Sequence, residues 1–119
     1  MERPVIAAVD DLFFLTKIET AARQAGVNLI QARSARALDE QLAASGAPRL
    51  VILDLNSSAC SPFDAIRRIK SDPRFQETRT LGFFSHVQTE LETAARDAGC
   101  DQVMPRSAFS ARLVEILRG

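Results

Sequence analysis

Five short apolar runs alternate with five helix-period segments along the 119 residues, an order that predicts an α/β domain built on a parallel sheet. The central run, Leu50-Val51-Ile52-Leu53-Asp54-Leu55, is apolar throughout except for one carboxylate near its carboxyl end. A strand without polar alternation is buried on both faces, as in a sheet covered by helices on both sides. Right-handed crossovers between parallel strands then make the sheet doubly wound. Five βα units are too few for a closed eight-stranded barrel.

Each element has its own local signal. Val5–Val9 is an apolar run that ends in Asp10-Asp11, and the following helix carries Leu15, Ile18, Ala22 and Ala25 on one face before Gly26 caps it. Val27–Ala32 reads as the second strand. Ser34 suits the N-cap of a helix bearing Ala35, Leu38 and Leu42, which ends at Ser45-Gly46. After the third strand, Ser61-Pro62-Phe63-Asp64 opens a helix with a capping box and a proline at its first position, and Ile66 and Ile69 continue its buried face. Thr80–Phe84 is the fourth strand, and Thr89-Glu90-Leu91-Glu92 is a second capping box for a helix that closes at Gly99. Gln102–Met104 is the fifth strand. The last helix starts at Ser107 or Ser110 and buries Phe109, Leu113 and either Ile116 or Leu117.

Composition narrows the function. Fifteen basic and fifteen acidic residues leave no net charge, so the chain lacks the positive field that nucleic acid or an anionic membrane would attract. No run approaches the length of a membrane span, and the amino terminus has no signal-peptide architecture. Cys60 and Cys100 form neither a CxxC pair nor a disulfide framework, and a small buried thiol is the default for Cys60. A reduced, cytoplasmic setting is expected, with residues 1–119 forming one domain. Gly and Pro are sparse at five each, and no linker, tract or repeat appears.

In doubly wound sheets the functional crevice lies beyond the carboxyl ends of the strands. Asp10, Asp11, Asp54, Ser85, His86 and Arg106 stand at those ends. Three carboxylates in one crevice repel each other unless a cation sits among them, and Mg²⁺, which prefers oxygen ligands, is the natural occupant. Asp54 can act as a nucleophile, Ser85 can donate to a phosphoryl oxygen, and Arg106 can hold the charge from the far side. An inert alternative for Asp54 is a salt bridge to Arg106. His86, the sole histidine, reads as an exposed loop residue beside the site. Phe13 and Phe14, after the acidic pair, either cover the crevice or simply begin the helix.

On Ala8-Val9-Asp10-Asp11, Val51-Ile52-Leu53-Asp54-Leu55-Asn56, Ser85, Ala98-Gly99-Cys100-Asp101 and Arg106, the chain resembles the receiver domains of bacterial two-component response regulators over essentially its whole length. The resemblance implies a flavodoxin-like sheet of order 2-1-3-4-5. It implies phosphoryl transfer from a histidine kinase or phosphotransfer protein to Asp54, and self-dephosphorylation there, rather than turnover of a separate substrate. It also implies Mg²⁺ on Asp11, Asp54 and the Asn56 carbonyl, with Asp10 acting through water, and an unknown downstream protein or a second copy as the reader.

Several positions depart from the family pattern. Arg106 stands where the family has Lys, and the two are not interchangeable at a tight phosphate site. Ser107 follows where Pro is usual, so the loop is expected to be rebuilt. Ser58 replaces a common Pro, Pro62 a common Gly, and Val103 the strand-five aromatic used as a rotamer switch. These departures favour an alternative: a degenerate pseudo-receiver that binds or dimerises without phosphorylation. A flavin-type reading lacks support, because strand one ends in two acids and the chain has no Tyr or Trp.

Overall fold

A computed structural model of the chain describes residues 3–44, 46–85 and 89–119. The strands are β1 (Val5–Ala8), β2 (Leu29–Ala32), β3 (Leu50–Asp54), β4 (Arg79–Phe84) and β5 (Gln102–Pro105). The helices are α1 (Leu12–Ala25), α2 (Ala35–Ala44), α3 (Pro62–Ser71), α4 (Thr89–Ala98), α5 (Arg106–Ala111) and α6 (Leu113–Arg118), with a single 3-10 turn at Pro73–Phe75. The five strands are parallel in the order β2-β1-β3-β4-β5. The fold class and the strand order are those the sequence implies.

Strand alternation divides the core in two. Val5 and Ala7 of β1, Leu50 and Ile52 of β3, and Leu81 and Phe83 of β4 pack with Leu15 and Ile18 of α1 and with Phe109, Leu113 and Leu117 from the last two helices. Ile6, Ala8, Val51, Leu53 and Phe84 face the opposite way, against Leu38, Ile66, Ile69 and Ala95 of α2, α3 and α4. Every residue of β3 is buried, as an apolar run in a doubly covered sheet requires. By the same parity Asp54 shares the face of Leu50 and Ile52, on the side of α1 and α5.

The element ends show which local signals held. Gly26 adopts φ 70°, with its N–H on the Arg23 carbonyl and the Val27 N–H on the Ala22 carbonyl. That paired closure consumes Val27, so the second strand starts at Leu29 rather than Val27. Ser34 caps α2 as expected, its Oγ accepting from the Ala37 N–H at 3.1 Å. Helix α2 is described to Ala44; Ser45 lies outside the described residues. Cys100 donates its N–H to the Ala95 carbonyl across Gly99, which closes α4 as expected.

Other ends correct the sequence reading. Ser61 sits at φ 45°, ψ 60°, and its side chain makes no capping bond; a capping Ser needs an extended backbone, so the Ser61–Asp64 box does not form. Pro62 alone supplies the start signal there. Thr89 is already helical, in the first turn of α4 rather than before it. The last helix begins at Arg106, not at Ser107 or Ser110. Pro105 exits β5 extended at φ −64°, ψ 151°, and no loop residue intervenes before the helix. The helix is then interrupted at Arg112, at φ −115°, ψ 19°. Of the alternatives for its last buried residue, Leu117 is fully buried and Ile116 only partly.

Ser61 is the one described non-glycine residue with positive φ. Ser61→Gly is expected to raise stability by about 0.5–1 kcal/mol. It relieves a left-handed cost of roughly 1–2 kcal/mol against the greater chain entropy of glycine. A higher urea midpoint at unchanged slope is the measurement.

Far from the strands' carboxyl ends, Asp101 ties three elements together. Its carboxylate accepts from the Thr80 N–H at 2.8 Å and the Thr80 hydroxyl at 3.1 Å, and it pairs with Lys70 of α3. Burial pushes the Asp101 carboxyl up, but the Lys70 and Thr80 donors outweigh it and hold the group below its ordinary value.

Candidate functional site at the carboxyl edge of the sheet

The carboxyl ends of β1, β3 and β4 and the junction of β5 with α5 meet at one edge of the sheet. The chain turns at Asp11, which is the N-cap of α1: its Oδ1 accepts from the Phe14 N–H at 3.2 Å. Asp10, one residue earlier, is exposed. Asp54 closes β3 and is only 6% exposed. Its Oδ1 accepts from the Asn56 N–H at 2.9 Å. Asn56 in turn accepts from the Ser85 N–H through its own Oδ1, at 2.8 Å, which fixes the end of β4 against the turn after β3. Ser85 itself is exposed. His86 lies outside the described residues.

Arg106 enters from the first turn of α5. Its Nη2 donates to Asp11 Oδ2 at 2.9 Å, and its guanidinium carbon stands 4.0 Å from the centroid of the Phe14 ring. The inert pairing considered for Asp54 is therefore not formed: the ion pair joins Arg106 to Asp11. Residues 11 and 14 lie one helical turn apart, so a single turn of α1 offers the guanidinium a carboxylate and an aromatic face.

The electrostatics follow from this placement. Burial pushes the Asp54 carboxyl above its ordinary value; the Asn56 N–H and the Arg106 charge oppose that, while the charges of Asp10 and Asp11 add to it. The hydrogen bond from Arg106, then that from the Phe14 N–H, holds Asp11 below its ordinary value. Cys60, buried after the turn, has its thiol pushed up by burial and reads as a structural side chain.

The donor chemistry of Asp10, Asp11, Asp54 and the Asn56 carbonyl is all oxygen, which suits a hard divalent cation, and the three carboxylates lie within electrostatic reach of one another. Both Asp11 oxygens are already engaged, by Phe14 and Arg106. Among the described residues no three acidic, cysteine or histidine side chains converge as a closed metal-holding group. A cation fits this donor set if Arg106 yields its place on Asp11.

Phe13 and Phe14, which the sequence reading left undecided together, part company in the structure. Phe14 is 5% exposed and packed, whereas Phe13 beside it is 93% exposed. Val103, in place of the strand-five aromatic, is half-buried against the α2–α4 side of the core.

No family model matches the chain, and no curated protein matches it. Solved structures do, and 214 chains match. The crystal structure of a phosphorylated cyanobacterial phytochrome response regulator has a TM-score of 0.83 at 19% identity, covering 100% of this chain and 91% of the other. A response regulator from Hahella chejuensis has a TM-score of 0.86 at 16% identity, covering 98% of this chain and 92% of the other. The Mn²⁺-bound form of another response regulator, Rcp1, has a TM-score of 0.79 at 16% identity, covering 98% and 90%. At such identities the likeness is one of fold: this chain has the doubly wound α/β fold of the response regulator receiver domains.

Proposed function

We propose that the protein is a two-component signalling receiver that accepts a phosphoryl group on Asp54. The observation that carries this reading is a buried carboxylate at the end of the central strand, with Asp10 and Asp11 beside it and Arg106 within electrostatic reach, on a receiver fold. A carboxylate oxygen of Asp54 attacks the phosphorus of a donor phosphohistidine. The new P–O bond forms as the P–N bond breaks, and the imidazole leaves with the electron pair and takes up a proton. Ser85 donates its hydroxyl to a phosphoryl oxygen, and Arg106 leaves Asp11 to neutralise the added charge. Asp11, Asp54 and the Asn56 carbonyl, with Asp10 through water, would hold a divalent cation, Mg²⁺ in this reading, which would supply charge neutralisation at the transferring group. The water attack that reverses the modification is the other chemistry of the site. Phosphodonors are a sensor histidine kinase or phosphotransfer protein of the cytoplasm, and the output is a protein contact, with an unknown downstream protein or a second copy.

A second reading has its own observation. Arg106 already sits on Asp11, as in a domain that holds this carboxylate in a fixed ion pair and binds partners without phosphorylation. Intact-mass measurement after incubation with acetyl phosphate, with and without Mg²⁺, separates the two. A Mg²⁺-dependent gain of one phosphoryl group that disappears in Asp54→Ala is expected. No adduct in the wild type leaves the constitutive docking domain.

A further inference from the structure

Arg106 replaces a lysine in the resemblance, and the structure gives the replacement a reason. A guanidinium is planar: it can lie flat on an aromatic face while its edge donates to a carboxylate, which a lysine ammonium does less well. Here the face is Phe14, at 4.0 Å, and the carboxylate is Asp11, at 2.9 Å. The Phe14 ring also touches the rest of the α1 side of the core. Its centroid is 5.0 Å from that of Phe83 and 5.8 Å from that of Phe109, and Phe83 and Phe109 stack at 4.9 Å with their planes 7° apart.

Each ring belongs to a different element that reaches the site. Phe83 is the register partner of Asp54 across β3 and β4. Phe109 lies one turn beyond Arg106 on α5. The contacts therefore close a ring through three elements: Asp11 and Phe14 on α1, Phe83 beside Asp54, and Phe109 and Arg106 on α5. Both partners of the guanidinium, Asp11 and the Phe14 ring, come from one turn of α1, and that ring packs on Phe109 of α5. Packed interiors transmit displacements because they hold few voids.

We propose that Phe14 is a positioning residue for Arg106, and that the Phe14–Phe83–Phe109 trio couples the place of the guanidinium to α5. This deepens the phosphoryl-acceptor reading, on which its ligand-dependent part rests, and it supplies a route to the last helix that does not use residue 103.

Nuclear magnetic resonance of the full chain tests it, with Mg²⁺ and then acetyl phosphate as the added probes. In wild-type protein the Arg106 side-chain protons are expected upfield, shielded by the Phe14 ring. That shift is lost in Phe14→Leu, which keeps an apolar side chain, and is restored in Phe14→Tyr. On addition of the probes, Arg106 and the Phe109–Leu113 amides move together in the wild type and in Phe14→Tyr. In Phe14→Leu the Asp54–Asn56 amides still respond while the Phe109–Leu113 amides do not. Absence of the upfield shift in the wild type, or an equal Phe109–Leu113 response in Phe14→Leu, overturns the proposal. If the wild-type Asp54–Asn56 amides ignore both probes, the phosphoryl-acceptor reading fails instead, and Asp11→Asn decides the coupling without any ligand. Loss of the Asp11 charge must then shift Arg106 and the Phe109–Leu113 amides; unchanged positions overturn the coupling too.

Discussion

Phe109→Ala is expected to cost the fold about 3–5 kcal/mol, the range for deleting a fully buried aromatic ring. Phe109 has no exposed surface, and it stacks on Phe83 at 4.9 Å and lies 5.8 Å from Phe14, tilted by 46°. The loss has a second component. Helices α5 and α6 have six residues each and are separated by the break at Arg112. Segments that short have no stability of their own and exist by packing against the sheet. Removing the one large anchor of α5 therefore leaves a cavity and also weakens the hold on the segment that carries Arg106. Since domains of this size are stable by about 5–15 kcal/mol, the variant has little margin. The measurement is a urea transition: a large fall in midpoint with an unchanged slope is expected, and Phe63→Ala, at a half-buried position on α3, gives a smaller fall. A Phe109→Ala midpoint close to that of the wild type would mean that the trio does not hold the last helix.

What the sequence disclosed about the fold was its local chemistry. The unbroken apolar run of β3 could belong only to a strand covered on both faces, and Gly26 and Gly99 could be read as closures because a left-handed residue after a helix is a glycine property. Ser61 misled because Ser-Pro-Phe-Asp fits a capping box as text, while the capping geometry depends on a backbone angle that the turn after Asp54 decides. The last helix starts early because nothing in the order of residues reveals that β5 runs directly into it. At the site, positions at the strand ends were legible, since parallel strands deliver their carboxyl termini to one edge. The partner of Arg106 was not. The pairing the sequence suggested was with Asp54, whereas the one formed is with Asp11, 95 residues away along the chain. The split between Phe13 and Phe14 was legible but missed: Phe14 lies four residues before Ile18, on the buried face of α1, and Phe13 lies off that face.

Asp54→Asn is expected to stabilise the fold, on the order of 1 kcal/mol near neutral pH in EDTA, the low end of the burial cost of a polar group. The Asn oxygen keeps the bond from the Asn56 N–H; the buried charge goes, and with it both the attraction to Arg106 and the repulsion from Asp10 and Asp11, burial being the largest of these effects. The pH profile identifies the cause. Burial raises Asp54 above its ordinary 3.8. Between that value and the raised one, the folded protein keeps a proton that the unfolded chain has lost, and stability falls as pH rises through the interval. Above the raised value the cost is complete; at low pH it vanishes, and the two proteins converge. Asp11 and Asp101 act in the opposite sense, because Arg106 lowers the one and the Lys70 and Thr80 donors, against burial, lower the other. Their stabilisation is full above the ordinary carboxylate value and is lost as pH falls through the depressed values. Through these three groups wild-type stability should thus peak near the ordinary carboxylate value of 3.8, declining on the acid side through Asp11 and Asp101 and on the other side through Asp54. The Asn variant keeps the acid limb and loses the decline above it. An identical decline in both proteins would move the charge penalty away from Asp54, and with it the conclusion that the folded protein holds this carboxylate charged at a cost.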